Sequence, residues 1–81
     1  MQMVMAYVLI TVDVGKERNI FERLKNLKES VEVYELYGEW DIIAKIKVSK
    51  FEELDKIITE KIRSIDGIKL TSTMLVAEYV R

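Results

Sequence analysis

The segment Met3–Val12 is apolar on both faces of the strand that it predicts. Its β-branched and aromatic residues are typical of a β-strand. Alternate residues of a strand point to opposite faces. One face holds Val4, Ala6, Val8, Ile10 and Val12, and the other holds Met5, Tyr7 and Leu9. A strand covered on one side only alternates apolar with polar residues, so we expect this strand to be covered on both faces.

The rest of the chain predicts two helices and three more strands. Apolar stripes at helical spacing predict helices over Lys16–Leu27 and from Phe51 to Ile65. Ser49 and Glu52 have the spacing of a capping box at the start of the second helix. The other strands are predicted over Val31–Tyr37, Asp41–Val48 and Ile68–Val80, with a turn at Gly38–Trp40 between the first two.

The resulting order, β-α-β-β-α-β, predicts an α+β fold of the ferredoxin-like type. We expect a four-stranded antiparallel sheet with two helices on one face, in a single domain over residues 1–81. The other sheet face would then be too apolar to remain in water. A homodimer formed by two facing sheets is the simplest way to cover it.

Composition excludes several classes of function. The chain has no His and no Cys, which removes zinc fingers, His or Cys haem ligands and Ser–His or Cys–His nucleophile pairs. We therefore expect no metal, no cofactor and no catalytic residue. A net charge of −1 argues against direct binding to nucleic acid.

Composition also bears on location and source. The longest apolar run near the start ends at Thr11, which is too short for a membrane span, and a basic signal-peptide region is missing. We interpret the chain as cytoplasmic with no membrane partner. Glu and Lys far outnumber Asn and Gln, a bias that suits a thermophile.

Two polar clusters are candidates for a ligand site. The first is the turn of Tyr37, Gly38, Glu39, Trp40 and Asp41. A carboxylate there could hold the ammonium of a small zwitterion, but the same residues also make an ordinary hairpin turn.

The second cluster is Thr71, Ser72 and Thr73 in the last predicted strand. Its hydroxyls could hold the ligand's carboxylate, or they could simply face solvent at a strand or sheet edge. The sequence does not establish that the two clusters meet.

Three runs resemble the C-terminal domain of the Lrp/AsnC (feast/famine) transcription regulators, known as the RAM domain. They are Tyr34–Ile46 (YELYGEWDIIAKI), Leu54–Ile62 (LDKIITEKI) and Gly67–Met74 (GIKLTSTM). The resemblance covers nearly the whole chain. The G-x-x-D turn followed by an apolar strand, together with T-S-T-M in the last strand, makes the combination moderately specific.

This resemblance implies a βαββαβ fold of the dimeric α/β-barrel type and dimers that build higher rings. It also implies a free amino acid as effector, bound between dimers near the turn. Gly38 and Asp41 match the turn motif, with Asp41 as the partner of the ligand ammonium and Tyr37, Glu39 and Trp40 as neighbours. Thr71, Ser72 and Thr73 match the last-strand motif and would supply hydroxyl and backbone contacts.

One departure changes what is carried over. Full-length members have an N-terminal helix-turn-helix that binds DNA, and here the first predicted strand begins at Met3. We therefore expect a stand-alone RAM protein that assembles with itself or with full-length regulators and does not bind DNA directly. The alternatives are a small enzyme of the dimeric α+β barrel class, with an intrasubunit pocket at Tyr7 or Tyr34, and an assembly module whose ligand site has decayed.

Overall fold

The computed structural model describes residues 3–77 and confirms the predicted order of elements. The strands are β1 (Val4–Val12), β2 (Ser30–Glu35), β3 (Ile42–Val48) and β4 (Ile68–Leu75), and the helices are α1 (Glu17–Lys25) and α2 (Phe51–Lys56), which continues into a π-helical segment (Ile57–Ile62). The last strand was predicted to reach Val80, but β4 ends at Leu75 and residues 78–80 lie outside the described residues.

The four strands form one antiparallel sheet in the order β2-β3-β1-β4, so β1 and β3 are the inner strands. Ile10 pairs with Ile42 of β3 on one side and with Thr71 of β4 on the other. The sheet therefore has two edge strands, and the two predicted polar clusters lie next to β1 on opposite sides.

The core lies between the sheet and the helices. The β1 face that includes Val8 and Ile10 is buried against Ile20 and Leu24 of α1 and against the buried isoleucines of the second helix. Both helices therefore cover the same sheet face, as predicted. Fully burying one such aliphatic side chain stabilises the fold by about 1.5–3 kcal/mol.

The opposite sheet face, which we call the open face, carries the other residues of each strand. Met5, Tyr7 and Leu9 of β1 lie there, and the pairing places Ile43, Tyr34 and Met74 beside them. Tyr34 and Met74 are 55% and 47% exposed. The expectation that β1 is covered on both faces is thus met on the helix face within one chain, while the open face is left half-exposed.

The second helix ends at Ile62, three residues before the predicted Ile65, and differs from its prediction in two further ways. Arg63 N–H donates to the carbonyl of Ile58, a π-type bond that widens the helix after Lys56. The predicted capping box is wrong, because Ser49 Oγ bonds to the carboxylate of Glu53 at 2.8 Å and the helix begins after Lys50 without a side-chain cap. In a capping box the serine is the N-cap residue and its Oγ accepts from a backbone N–H, whereas here the N-cap residue is Lys50 and the Ser49 hydroxyl donates to Glu53.

Within residues 3–77, each helix is too short and too polar to cross a membrane.

Candidate functional site

Asp41 holds together three strands at one end of the sheet. Its backbone N–H donates to the carbonyl of Ile10 at 2.9 Å, and its own carbonyl accepts from Leu36 N–H at 2.8 Å. Its side-chain Oδ2 accepts from the backbone N–H of Val12 at 2.9 Å. The carboxylate thus takes the place of a strand carbonyl where the β1–β3 ladder ends.

These bonds fix the Asp41 carboxylate in space. The side chain is partly buried, and the Val12 N–H occupies Oδ2. Within residues 3–77 the structure gives Oδ1 no hydrogen-bond donor. A charged acceptor held by the backbone in this way is pre-organised to receive a cationic group.

The other residues of the predicted turn form the loop between β2 and β3. Gly38 has a φ of 130°, a conformation that side chains rarely adopt, so glycine suits this position. Trp40 is half-buried, whereas Glu39 is exposed and Tyr37 is fully exposed. The loop therefore presents an exposed aromatic side chain four residues before Asp41.

The Thr71–Thr73 cluster is divided between the two faces of β4. Thr71 and Thr73 pair with Ile10 and Val8, so they share the helix face, while Ser72 pairs with Leu9 and lies on the open face. Thr71 Oγ1 also accepts from Arg63 Nε at 3.3 Å. The three hydroxyls of one chain therefore do not converge on a single point.

The structure places the two clusters on either side of β1 at the same level of the sheet. Ile10 pairs with Ile42 on one side and with Thr71 on the other. Asp41, which precedes Ile42, is therefore two strand spacings from Thr71, with β1 between them. Two strand spacings amount to roughly 10 Å between backbones. The clusters are thus neighbours within one chain without being in contact.

A β-bulge next to the site was not predicted from the sequence. β1 and β4 pair in one register up to Thr11 and Leu70, and the next pair is Val12 with Ile68, so Lys69 is an extra residue in β4. Leu70 N–H donates to the side-chain Oγ1 of Thr11 at 3.1 Å. The apolar period of β4 carries no signal for this bulge.

The loop after β1 closes the same end of the sheet. Asp13 N–H donates to the carbonyl of Gly67 at 2.7 Å, and Lys16 Nζ bonds to Asp66 at 2.7 Å. The hydrogen bond and charge of Lys16 lower the pKa of the Asp66 carboxyl, and those of Asp66 raise the pKa of Lys16. The Lys16 cation is thus already paired.

Metal binding finds no support in this part of the chain. Residues 3–77 contain no group of three or more Asp and Glu side chains placed to hold a metal ion.

The same residues contain no fully buried charged residue, and Tyr7 and Tyr34 lie on the open face. The alternative of a small enzyme requires an enclosed pocket with a buried carboxylate. These tyrosines do not line such a pocket.

Comparisons with known proteins identify the family of this chain. The family model for the Lrp/AsnC ligand binding domain matches residues 5–81. The HTH-type transcriptional regulator FL11 of Pyrococcus furiosus is 37% identical over 73 residues, which are 90% of this chain and 48% of the regulator. The chain thus spans about half the length of this curated relative, and relatives named as regulators identify a non-enzymatic family.

Solved structures share the fold. The crystal structure of FFRP-DM1 is 42% identical with a TM-score of 0.88, and the match covers 90% of this chain and 97% of that one. A transcriptional regulator from Neisseria meningitidis, solved in complex with L-Met, has a TM-score of 0.87 at 14% identity. That match covers 96% of this chain and 52% of that one, and it concerns the fold alone.

Proposed function

The chain belongs to the Lrp/AsnC ligand-binding domain family, and on that premise we propose that it binds a free amino acid at the β2–β3 loop and assembles into dimers and rings of dimers. Binding would change which assembly is favoured, because a ligand shifts an equilibrium only through its different affinities for the two states. The chain would influence transcription by assembling with itself or with full-length Lrp/AsnC-type regulators.

The observation that carries the proposal is the fixed carboxylate of Asp41. Its Oδ2 is held by Val12 N–H, which leaves Oδ1 for the ammonium of an amino acid. A charge-assisted hydrogen bond of this kind is stronger than a neutral one. Gly38 permits the loop conformation, and Tyr37, Glu39 and Trp40 would surround the ligand.

The polar residues of β4 complete the proposed site. Because the hydroxyls of one chain lie on two faces of β4, the ligand carboxylate would be contacted either by Thr71 and Thr73 from the helix face or by Ser72 from the open face. Because Tyr37 is fully exposed in one chain, we propose that a neighbouring dimer covers it and closes the site. The ligand-free chain would then contain only part of the pocket.

Assembly would begin with the open face. Apolar patches of this kind on a small domain usually mark an interface. Lys45 also lies on the open face, with its ammonium 5.9 Å from the centre of the Tyr7 ring and Glu32 opposite it in the β2–β3 pairing. Two open faces packed together would cover the second face of β1.

Calorimetric titration with the twenty common amino acids tests the binding step, and L-methionine belongs in the panel because a regulator with this fold was solved with it. The decisive variant is Asp41→Asn, since an amide oxygen can still accept from Val12 N–H while the negative charge is lost. We expect a loss of about tenfold or more in affinity with little loss of thermal stability, as bonds to charged groups are worth about 1.5–3 kcal/mol.

Asp13→Asn is the matched control. It removes the same charge from an exposed side chain that directly follows the last residue of β1. Affinity should change little in this variant. Equal affinity of wild type and Asp41→Asn would contradict the proposed site, and no heat with any amino acid would contradict amino-acid binding itself.

A further inference from the structure

Two adjacent residues of β1 contact the two halves of the proposed site through different atoms. Thr11 bonds to β4 through its side chain, and Val12 bonds to Asp41 through its backbone N–H. We propose that Thr11 is a positioning residue that holds Asp41 and the Thr71–Thr73 cluster in their relative places. This inference rests on the proposed function.

The bond to β4 determines where the polar cluster begins. Leu70 N–H donates to Thr11 Oγ1 at 3.1 Å, and Leu70 directly precedes Thr71 in the chain. Leu70 directly follows Lys69, the extra residue of the bulge, so this bond lies at the boundary between the bulge and the regular pairing. Since a bulge changes the twist and direction of a strand, the Thr11 hydroxyl fixes the start of the Thr71–Thr73 cluster relative to β1.

The bond to Asp41 depends on the same bulge. Beyond it, β1 continues in the shifted register, with Val12 paired to Ile68 and Asp13 N–H donating to the carbonyl of Gly67. The backbone of Val12 is therefore held on one side by β4 and on the other by the Asp41 carboxylate. Since a bulge increases the local twist of the strands, a change at the bulge would reorient the Val12 N–H and with it the anchored carboxylate.

Thr11 lies at the point where the β1–β4 pairing changes from one register to another. The register before the bulge and the register after it differ by a single residue. In an unbulged strand pair, Val12 would pair with Lys69 instead of Ile68. Moving a strand by one residue turns its side chains to the opposite face. The Thr11 hydroxyl accepts from Leu70 N–H and thereby favours the bulged register. If the site is shared between copies, the Thr11 of each copy positions the Asp41 and the Thr71–Thr73 cluster of that same copy.

The test compares Thr11→Val with Thr11→Ser. Valine has the shape of threonine without the acceptor oxygen, while serine keeps it, so the serine variant should retain the wild-type behaviour. With the amino acid that binds wild type in the twenty-member panel, we expect Thr11→Val to lose affinity by about fivefold or more. Its amide NMR signals should shift at Leu70 and, across the sheet, at Asp41, whereas Val12 follows Thr11 in the chain and shifts with any substitution there.

A residue that merely stabilised the fold would lower the melting temperature of Thr11→Val without changing the affinity of the folded molecules. Wild-type affinity in Thr11→Val, or amide shifts that stop at Leu70, would overturn the inference. If wild type binds no amino acid, the proposed function fails, and the shift at Asp41 still decides whether Thr11 sets its geometry.

A second measurement covers the case in which Thr11→Val does not fold. Hydrogen exchange of the Leu70 and Val12 amides in the wild-type protein should then slow together when the amino acid is added. Protection of the Val12 amide alone would contradict the coupling.

Discussion

Gly67 lies where the start of β4 meets the first turn of α1, and replacing it with alanine tests the packing at this end of the sheet. Its φ is +99°, and a Cβ at this position would lie 2.7 Å from Lys16 Cβ and 3.2 Å from Ile20 Cδ1. The Lys16 Cβ is attached directly to the backbone, so it cannot move away by a rotation of the side chain. Ile20 is fully buried.

Gly15→Ala is the matched control for Gly67→Ala. Gly15 has a similar φ of +90°, but a Cβ there would have nothing within 4 Å. Both variants incur about 1–2 kcal/mol for a left-handed backbone at a residue with a side chain. Gly67→Ala adds about 1–3 kcal/mol for overpacking.

Urea unfolding of the two variants at one fixed protein concentration measures the difference, since assembly makes stability depend on concentration. Gly67→Ala should be less stable than Gly15→Ala by about 1–3 kcal/mol. The melting temperature should fall by about 4–8 °C for each kcal/mol in a domain of this size. Equal destabilisation by the two variants would refute the argument, because it would mean that α1 moves away from Gly67 at no cost.

Two further predictions concern charge and assembly. In Lys16→Met, the pKa of the Asp66 carboxyl should rise towards its ordinary value, which NMR of the carboxyl carbon measures; an unchanged pKa would contradict the pairing. Because the folded-state pKa of Asp66 is lowered, the pair stabilises the protein above the ordinary carboxyl pKa of about 4, and this contribution is lost as pH falls through the lowered value. Because the folded-state pKa of Lys16 is raised, its contribution is complete below about pH 10.4 and is lost as pH rises through the raised value. Met74→Lys places a charge on the open face and should convert dimers to monomers in light scattering, whereas Phe51→Lys, at a comparably exposed apolar residue on α2, should not; monomer formation in both variants, or in neither, would contradict a dimer formed by facing sheets.

The sequence was sufficient for the fold because its apolar patterns are strong and local. The alternation in Asp41–Val48 and the stripe containing Ile20 and Leu24 depend only on near neighbours, and the structure buries those residues as predicted. It could not decide which face of β1 meets the helices, because both are apolar. The structure assigns Val8 and Ile10 to the core and Tyr7 and Leu9 to the open face.

Features that depend on a distant partner were not accessible from the sequence. The bulge needs Thr11 and Leu70, which are 59 residues apart. The capping box was wrong for a local reason, because the helix begins one residue later than the box requires, with Lys50 as its N-cap. The π-helical segment escaped prediction because it keeps Ile58 and Ile62 buried, as an α-helix of the same residues would.

The candidate site was predicted as residue types and not as geometry. The sequence singled out Asp41 as a carboxylate near a turn, but not that its Oδ2 would bind the N–H of Val12, 29 residues away. It also grouped Thr71, Ser72 and Thr73 as one set of hydroxyls, whereas alternation along β4 sends Ser72 to the other face. Ligand binding at these residues remains a prediction.

The bonds of Asp41 have a consequence for how such proteins diverge. The hydrogen bond from Leu36 N–H to the Asp41 carbonyl joins the two ends of the β2–β3 loop. The N–H and the carboxylate of Asp41 bind the second of these ends to β1. Residues 37–40 lie between these two fixed ends and outside the strands. Substitutions at the exposed Tyr37 and Glu39 can therefore accumulate without disturbing the sheet, whereas Gly38 is held to glycine by its backbone conformation. If the proposed site is right, ligand preference can change separately from the stability of the fold.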